Sequence, residues 1–221
     1  MLKRALTKIS VINKILIRGE IMGKIKNLKL YERCLIIIDM VNGFVKEGVL
    51  HDDEISKVIP RQLEIIKDSL ANGSLVVFVK DKHSGSSVEF KRFGNTKHCL
   101  QGTSESEVID ELRSFENCDN VVSVEKNSTS FMESPTFRKL ISNLTELKEV
   151  DIIGCCTDIC VANGSIGLAN YFDQNNRDVD IYVHEDAIET YDAPMHERQK
   201  YTEAAKLLIK QQGIKLVKGK K

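Results

Sequence analysis

The chain has 221 residues, 42% hydrophobic and 29% charged, which suits a globular domain with a substantial core. Lysine plus arginine total 32 and aspartate plus glutamate 32, so the balance of charge gives no reason to expect nucleic acid or an anionic membrane as partner. No apolar run is long enough to span a bilayer, and six cysteines without zinc-type CxxC pairs or a secretory signal read as reduced thiols of a cytoplasmic protein.

Residues 1–29 differ in composition from the rest. Lys3, Arg4, Lys8, Lys14, Arg18, Lys24, Lys26 and Lys29 face a single acid, Glu20. Lys14 interrupts "VINKILI", so a loose basic extension is expected here rather than a targeting peptide, with Met22 as an alternative start. The folded domain is expected over 30–221. Its first β-branched run, 34–39, ends in Asp39. The spacing over 55–73 predicts a helix that stops at Asn72-Gly73. A second strand, 74–80, leads into Asp81-Lys82-His83, and a serine followed by acids opens a predicted helix at 104–115. A strand at 120–126 ends in Lys126, and Pro135 after Ser134 starts a helix over 134–144. A strand at 149–154 runs into "CCTDIC" and a helix at 157–172. A strand at 178–184, a helix at 193–213 and a weaker strand at 214–217 close the series. This alternation predicts one α/β domain, three-layered, doubly wound and Rossmann-like, around a mostly parallel six-stranded sheet.

In such sheets ligands collect beyond the carboxyl ends of the strands. Four of the predicted strands deliver polar groups there: Asp39, the Asp81 and His83 pair, Lys126, and the cysteine cluster. Cys160, a few residues past a cap at Thr157 or Asp158, falls in the first turn of a helix, where free amides and the helix dipole favour a thiolate. A nearby Lys126 lowers its pKa further on this reading, and Asp39 can take its proton. Cys155 and Cys156 are assigned packing or backbone roles. The stretch 81–103 adds Glu89 and His98 to Asp81 and His83, a mixed oxygen and imidazole set that suits zinc, manganese or iron(II). Spacing alone leaves open a solvated loop in its place. A cluster of Cys155, Cys156 and Cys160 serving redox sensing or soft-metal binding is a third reading, which gives Asp39 and Lys126 no task. His51, His184 and His196 read as surface or capping residues, and Asp186 and Asp192 as shaping the loops after the fifth strand.

"LIIIDMVNGF", "VEKNSTS" and "GCCTDICV", in this order, resemble the three motifs of the isochorismatase-like cysteine hydrolases, and the chain from about residue 30 onward is most similar to the nicotinamidases among them. The resemblance implies Asp39 as catalytic acid/base, Lys126 as catalytic lysine and Cys160 as nucleophile. It also implies a cis peptide at Cys155–Cys156 and an oxyanion hole from the amides of Cys156 and Cys160. By the same resemblance Asp81, His83, His98 and in some members Glu89 hold a divalent metal, zinc first, with manganese or iron as alternatives. The implied reaction converts nicotinamide, a small-molecule amide, to nicotinate and ammonia through a thioester, in an enzyme that forms homo-oligomers. The alternative keeps the fold and thiol but acts without metal on another small amide or a vinyl ether. Phe44 and Phe93 are the candidate stacking residues, and Thr129 stands where many relatives line the pocket with a tyrosine.

Overall fold

A computed structural model of the chain describes residues 27–219. The expected basic extension therefore lies outside the described residues up to 26. Its last part packs rather than trails: Leu28, in the short turn Leu28–Leu30, is buried against the core.

The first strand, β1 (Arg33–Ile38), is buried along nearly its whole length. Leu35 and Ile37 enter one apolar cluster while Cys34, Ile36 and Ile38 enter the other, so both faces of the strand are covered. That is why its sequence is a continuous apolar run rather than an alternation. Next comes a 3-10 turn, Asp53–Val58, capped by Asp52, whose side chain accepts from the Glu54 amide at 2.9 Å. It leads into α1 (Ile59–Ala71), with Pro60 in the first turn, where its missing N–H costs nothing. The helix predicted over 55–73 thus begins as a 3-10 turn. Strand β2 (Leu75–Asp81) follows.

The segment 104–115 is broken rather than one helix. A 3-10 turn (Ser104–Ser106), a helical turn (Asp110–Arg113) and a second 3-10 turn (Ser114–Asn117) replace it. The cause is tertiary. The Glu107 carbonyl accepts from the Asn42 amide at 3.0 Å, the Ile109 amide donates to the Met40 carbonyl at 3.2 Å, and Val108 pairs with Val41. Pairing with the segment after β1 outweighs local helix propensity. Strand β3 (Val121–Lys126), α2 (Pro135–Asn143) behind its Ser134 cap, and β4 (Glu149–Cys155) come next. After a turn come α3 (Ala162–Gln174), β5 (Asp180–Glu189), α4 (Arg198–Gln211) and β6 (Lys215–Val217). Strand β5 runs five residues beyond its predicted end, so Asp186 lies within it, binding Arg61 at 3.1 Å and the Gly219 amide at 2.9 Å. Among the described residues no helix is long and apolar enough to cross a membrane.

All six strands are parallel, in the order β3-β2-β1-β4-β5-β6. The chain reverses its direction of travel across the sheet between β1 and β4, and a crevice opens beyond the carboxyl ends of strands at such a switch point. The register sets what meets there: Ile38 pairs with Val79 and Gly154, and Asp81 pairs with Lys126. Gly154 makes the β1–β4 contact possible. Its φ is +128°, and a Cβ there would lie 2.1 Å from the Ile38 carbonyl oxygen. Gly154→Ala is expected to destabilise the fold by about 3 kcal/mol or more. The matching fall in melting temperature is roughly 6–12 °C, read by thermal denaturation.

Candidate active site

Asp39 follows β1 with φ +52°, a left-handed conformation that short polar side chains tolerate. Its carbonyl accepts from the Cys155 thiol at 3.2 Å, which gives Cys155 the backbone-holding role expected of it. Lys126, at the end of β3, reaches three groups. Its ammonium lies 2.8 Å from Asp39 Oδ2, 3.0 Å from Asp81 Oδ1 and 3.5 Å from Cys160 Sγ. All four residues are buried. The Asp39 contact is an ion pair by distance but is not aligned as a hydrogen bond, and neither carboxylate oxygen of Asp39 has a well-aligned donor. The proposed acid, cation and thiol are thus one group of contacts.

The electrostatics follow from burial. Burial pushes the Asp39 carboxyl up to about 6, with Lys126 pulling down and Asp81 pushing up. Burial also raises Asp81, but Lys126 and hydrogen bonds from His83 and His98 outweigh it and hold that carboxyl well below the usual range. Lys126 is raised, because Asp39 and Asp81 overcome the burial that opposes its charge. Cys160 corrects the sequence reading. Its thiol is raised well above the ordinary value, since burial, Asp39 and Asp81 outweigh Lys126. The surroundings thus favour the protonated sulfur, and Asp39 is a neighbouring group able to take its proton.

The local helix also differs from expectation. Thr157–Val161 is a π-turn behind an N-cap at Cys156, with the Val161 amide reaching the Cys156 carbonyl at 3.1 Å. Neither Thr157 nor Asp158 caps it through its side chain. The Cys155–Cys156 peptide is cis.

Asp81, His83, Glu89 and His98 form one buried cluster in which a ligand atom from each lies within 4.8 Å of the others. His83 Nε2 is 2.9 Å from Asp81 Oδ2, and His98 Nε2 is 3.4 Å from the same oxygen. The second ring nitrogens point away: His83 Nδ1 to Asn127 Oδ1 at 2.7 Å, and His98 Nδ1 to the Thr96 carbonyl at 3.0 Å. With an ion in place, an N–H at Nδ1 on each ring would turn both Nε2 atoms from donors to Asp81 into lone pairs facing inward, the arrangement by which outer partners orient metal-binding histidines. A parallel bridge between His83 and Leu100 brings the two histidines together from either side of the intervening loop. Glu89 opens a helical turn, Glu89–Arg92, and is buried rather than solvated. Asp39, Asp81 and Glu89 against the one ammonium of Lys126 leave two buried negative charges, which a divalent cation balances. The donor set and the charge both fit such an ion.

The cluster opens into a cavity of about 90 Å³, which Asp81, Glu89 and His98 share with Cys156 and Cys160. Phe44, Phe93 and Thr129 all line it, as the sequence suggested. The Thr129 hydroxyl accepts from Asn163 at 3.2 Å. Leu50, Ile159 and Tyr191 complete the wall and were missed. Tyr191 follows β5 at the same sheet edge, so the rule that found the other site residues applied to it as well. Two histidines also depart from expectation. His184 is buried and bonded to Asp151 at 2.7 Å, and His196 is buried and bonded to Asp158 at 2.8 Å. His51 is exposed, as expected.

The isochorismatase domain model matches residues 33–211. Nicotinamidase 1 of Arabidopsis thaliana is 26% identical over 179 residues, covering 73% of this chain and 71% of the relative. The crystal structure of pyrazinamidase of Pyrococcus horikoshii in complex with zinc matches with a TM-score of 0.66 at 26% identity, over 85% of this chain and 99% of that one. N-carbamoylsarcosine amidase from Thermoplasma acidophilum matches with the same TM-score, 0.66, at 26% identity, over 85% and 96%.

Purified protein is expected to carry about one divalent ion per chain. His83→Ala and His98→Ala should each lose it, and His51→Ala should retain it. Elemental analysis after desalting checks this, and an ion retained by both cluster variants would contradict the ligand set.

Proposed function

This chain belongs to the isochorismatase family, and from that premise we propose that it is a metal-dependent amidase converting nicotinamide to nicotinate and ammonia. The observation that carries the reading is the shared cavity: Asp81, Glu89 and His98 of the four-residue cluster line one small, largely apolar space together with Cys160. A divalent ion held by Asp81, His83, Glu89 and His98, with zinc first among candidates, supplies a Lewis acid able to anchor a pyridine nitrogen. The chain's own residues do the remaining work. Asp39 accepts the Cys160 proton as the sulfur attacks the amide carbon, with Lys126 compensating the negative charge 3.5 Å from that sulfur. The amides of Cys156 and Cys160 receive the developing oxyanion, where losing one donor typically costs about a hundredfold or more. Asp39 returns the proton to the departing ammonia, and water then hydrolyses the thioester. Lys126 holds the carboxylate pair together while Asp39 changes charge.

A second reading keeps the thiol chemistry and changes the substrate to another small amide or a vinyl ether. Thr129, where many relatives carry tyrosine, favours it by leaving the wall lower there, and so does the N-carbamoylsarcosine amidase likeness. Under that reading chelation leaves turnover intact and nicotinamide is ignored.

Ammonia release from nicotinamide is expected, to be lost on chelation and restored by added zinc or manganese. Cys160→Ala should abolish it with the fold retained, and Cys155→Ser should be comparatively mild. The acid limb follows from Asp39. Its ionised form is lost as pH falls through about 6, so kcat/KM should rise from acid toward neutral with a midpoint near that value. A flat profile across this range would contradict Asp39 as the base.

A further inference from the structure

Tyr191 is outside every catalytic motif, yet it forms the cavity wall beside Cys156 and Ile159. It sits in the stretch 190–197 between β5 and α4, where residues 192–195 and 197 are exposed. Such a loop does not by itself fix a ring in one orientation. His196 does. It is buried in this otherwise exposed stretch, and its imidazole stacks on Tyr191 with centroids 3.9 Å apart and planes 9° apart. Tyr201 of α4 stacks on the same imidazole at 3.9 Å, so the three rings form one pile. His196 Nδ1 faces the Tyr191 carbonyl at 3.1 Å and Nε2 faces Asp158 Oδ2 at 2.8 Å. Asp158 also accepts from the Thr190 hydroxyl. Ala193 and His196 exchange backbone hydrogen bonds at 3.0 and 2.9 Å and close the turn.

Asp158 belongs to the same π-turn as Cys160. The clamp therefore ties the loop to the segment that carries the nucleophile. The Tyr191 end of the ring pile lines the cavity as well as packing against the apolar cluster that contains Phe44 and Cys156, and a purely structural stack would not require the cavity contact.

We propose that Tyr191 is the specificity-determining wall of this pocket, favouring flat aromatic amides, and that Asp158 and His196 are positioning residues that act through it. The proposal rests on the amidase reading above. A ring fixed in one orientation at the cavity wall offers aromatic surface to a planar substrate, and holding it beforehand spares the ordering cost at binding. Its effect belongs in KM and in the choice of ligand, and kcat stays with the Asp39, Lys126 and Cys160 group.

Steady-state kinetics of the metal-replete enzyme test this. Tyr191→Ala should raise the KM for nicotinamide about tenfold and leave kcat within about threefold. Tyr191→Phe should restore the wild-type KM. Benzamide should inhibit wild-type enzyme better than cyclohexanecarboxamide, and Tyr191→Ala should narrow that difference. His196→Ala should raise KM in the same direction but add nothing in the Tyr191→Ala background, because residues acting through one another are not additive. If Tyr191→Ala does not fold, Tyr191→Leu, which keeps apolar bulk without the flat ring, carries the same expectations. Unchanged KM and inhibitor preference in these variants would overturn the wall. An equal cost of His196→Ala in both backgrounds would overturn the positioning role. Wild-type enzyme that ignores nicotinamide would refute the amidase reading and this proposal with it, whereas turnover with unaltered variants refutes this proposal alone.

Discussion

The Lys126 ammonium lies between Asp39 and Asp81, 2.8 and 3.0 Å away, and all three side chains are buried. Two carboxylates that close in a low-dielectric setting would otherwise push each other toward the neutral form. With the ammonium present they divide the work. Asp81, which also contacts His83 and His98, is held charged, while burial pushes the Asp39 carboxyl up to about 6. The same ammonium touches Cys160 Sγ, so one cation joins the metal-type cluster to that sulfur. Removing it would leave uncompensated buried charge, the costly way to break such a group.

The parallel sheet supplies the geometry that this arrangement needs. Register places Asp81 beside Lys126 and Ile38 beside Gly154, so Asp39 emerges between the ends of β2 and β4 without any long loop to position it. Gly154 lets β4 approach β1 closely, and the chain then turns directly into the segment bearing Cys160. The parts of the site around Glu89, His98 and Tyr191 come from connecting segments. Rigid strand ends hold the chemistry and the connecting segments shape the pocket, a common division of labour in α/β proteins.

Much of this was legible in the sequence, for identifiable reasons. Strands buried on both faces are continuous apolar runs, and the polar residue that ends each run marks the crevice, which is how Asp39, Asp81 and Lys126 could be found. Cys160 lies against Lys126, and His83, Glu89 and His98 gather with Asp81. The misses share a cause, which is that tertiary partners override local signals. The helix expected at 104–115 is interrupted because residues 107–109 pair with the segment after β1. His184 and His196 looked unpartnered because Asp151 and Asp158 lie 33 and 38 residues away along the chain. The thiol of Cys160 was expected to be acidified by its helix and by Lys126, but burial and two carboxylates outweigh both. A helix position says nothing about depth.

The account depends on the sulfur at position 160 forming the bond to substrate while its neighbouring thiols remain spectators. Rapid acid quenching during turnover of nicotinamide, followed by peptide mass spectrometry, tests this most directly. A nicotinoyl group is expected on the peptide carrying Cys155, Cys156 and Cys160, assigned by fragmentation to Cys160 and missing from Cys160→Ala. Turnover with no adduct, or an adduct on Cys156 that persists in Cys160→Ala, would contradict it.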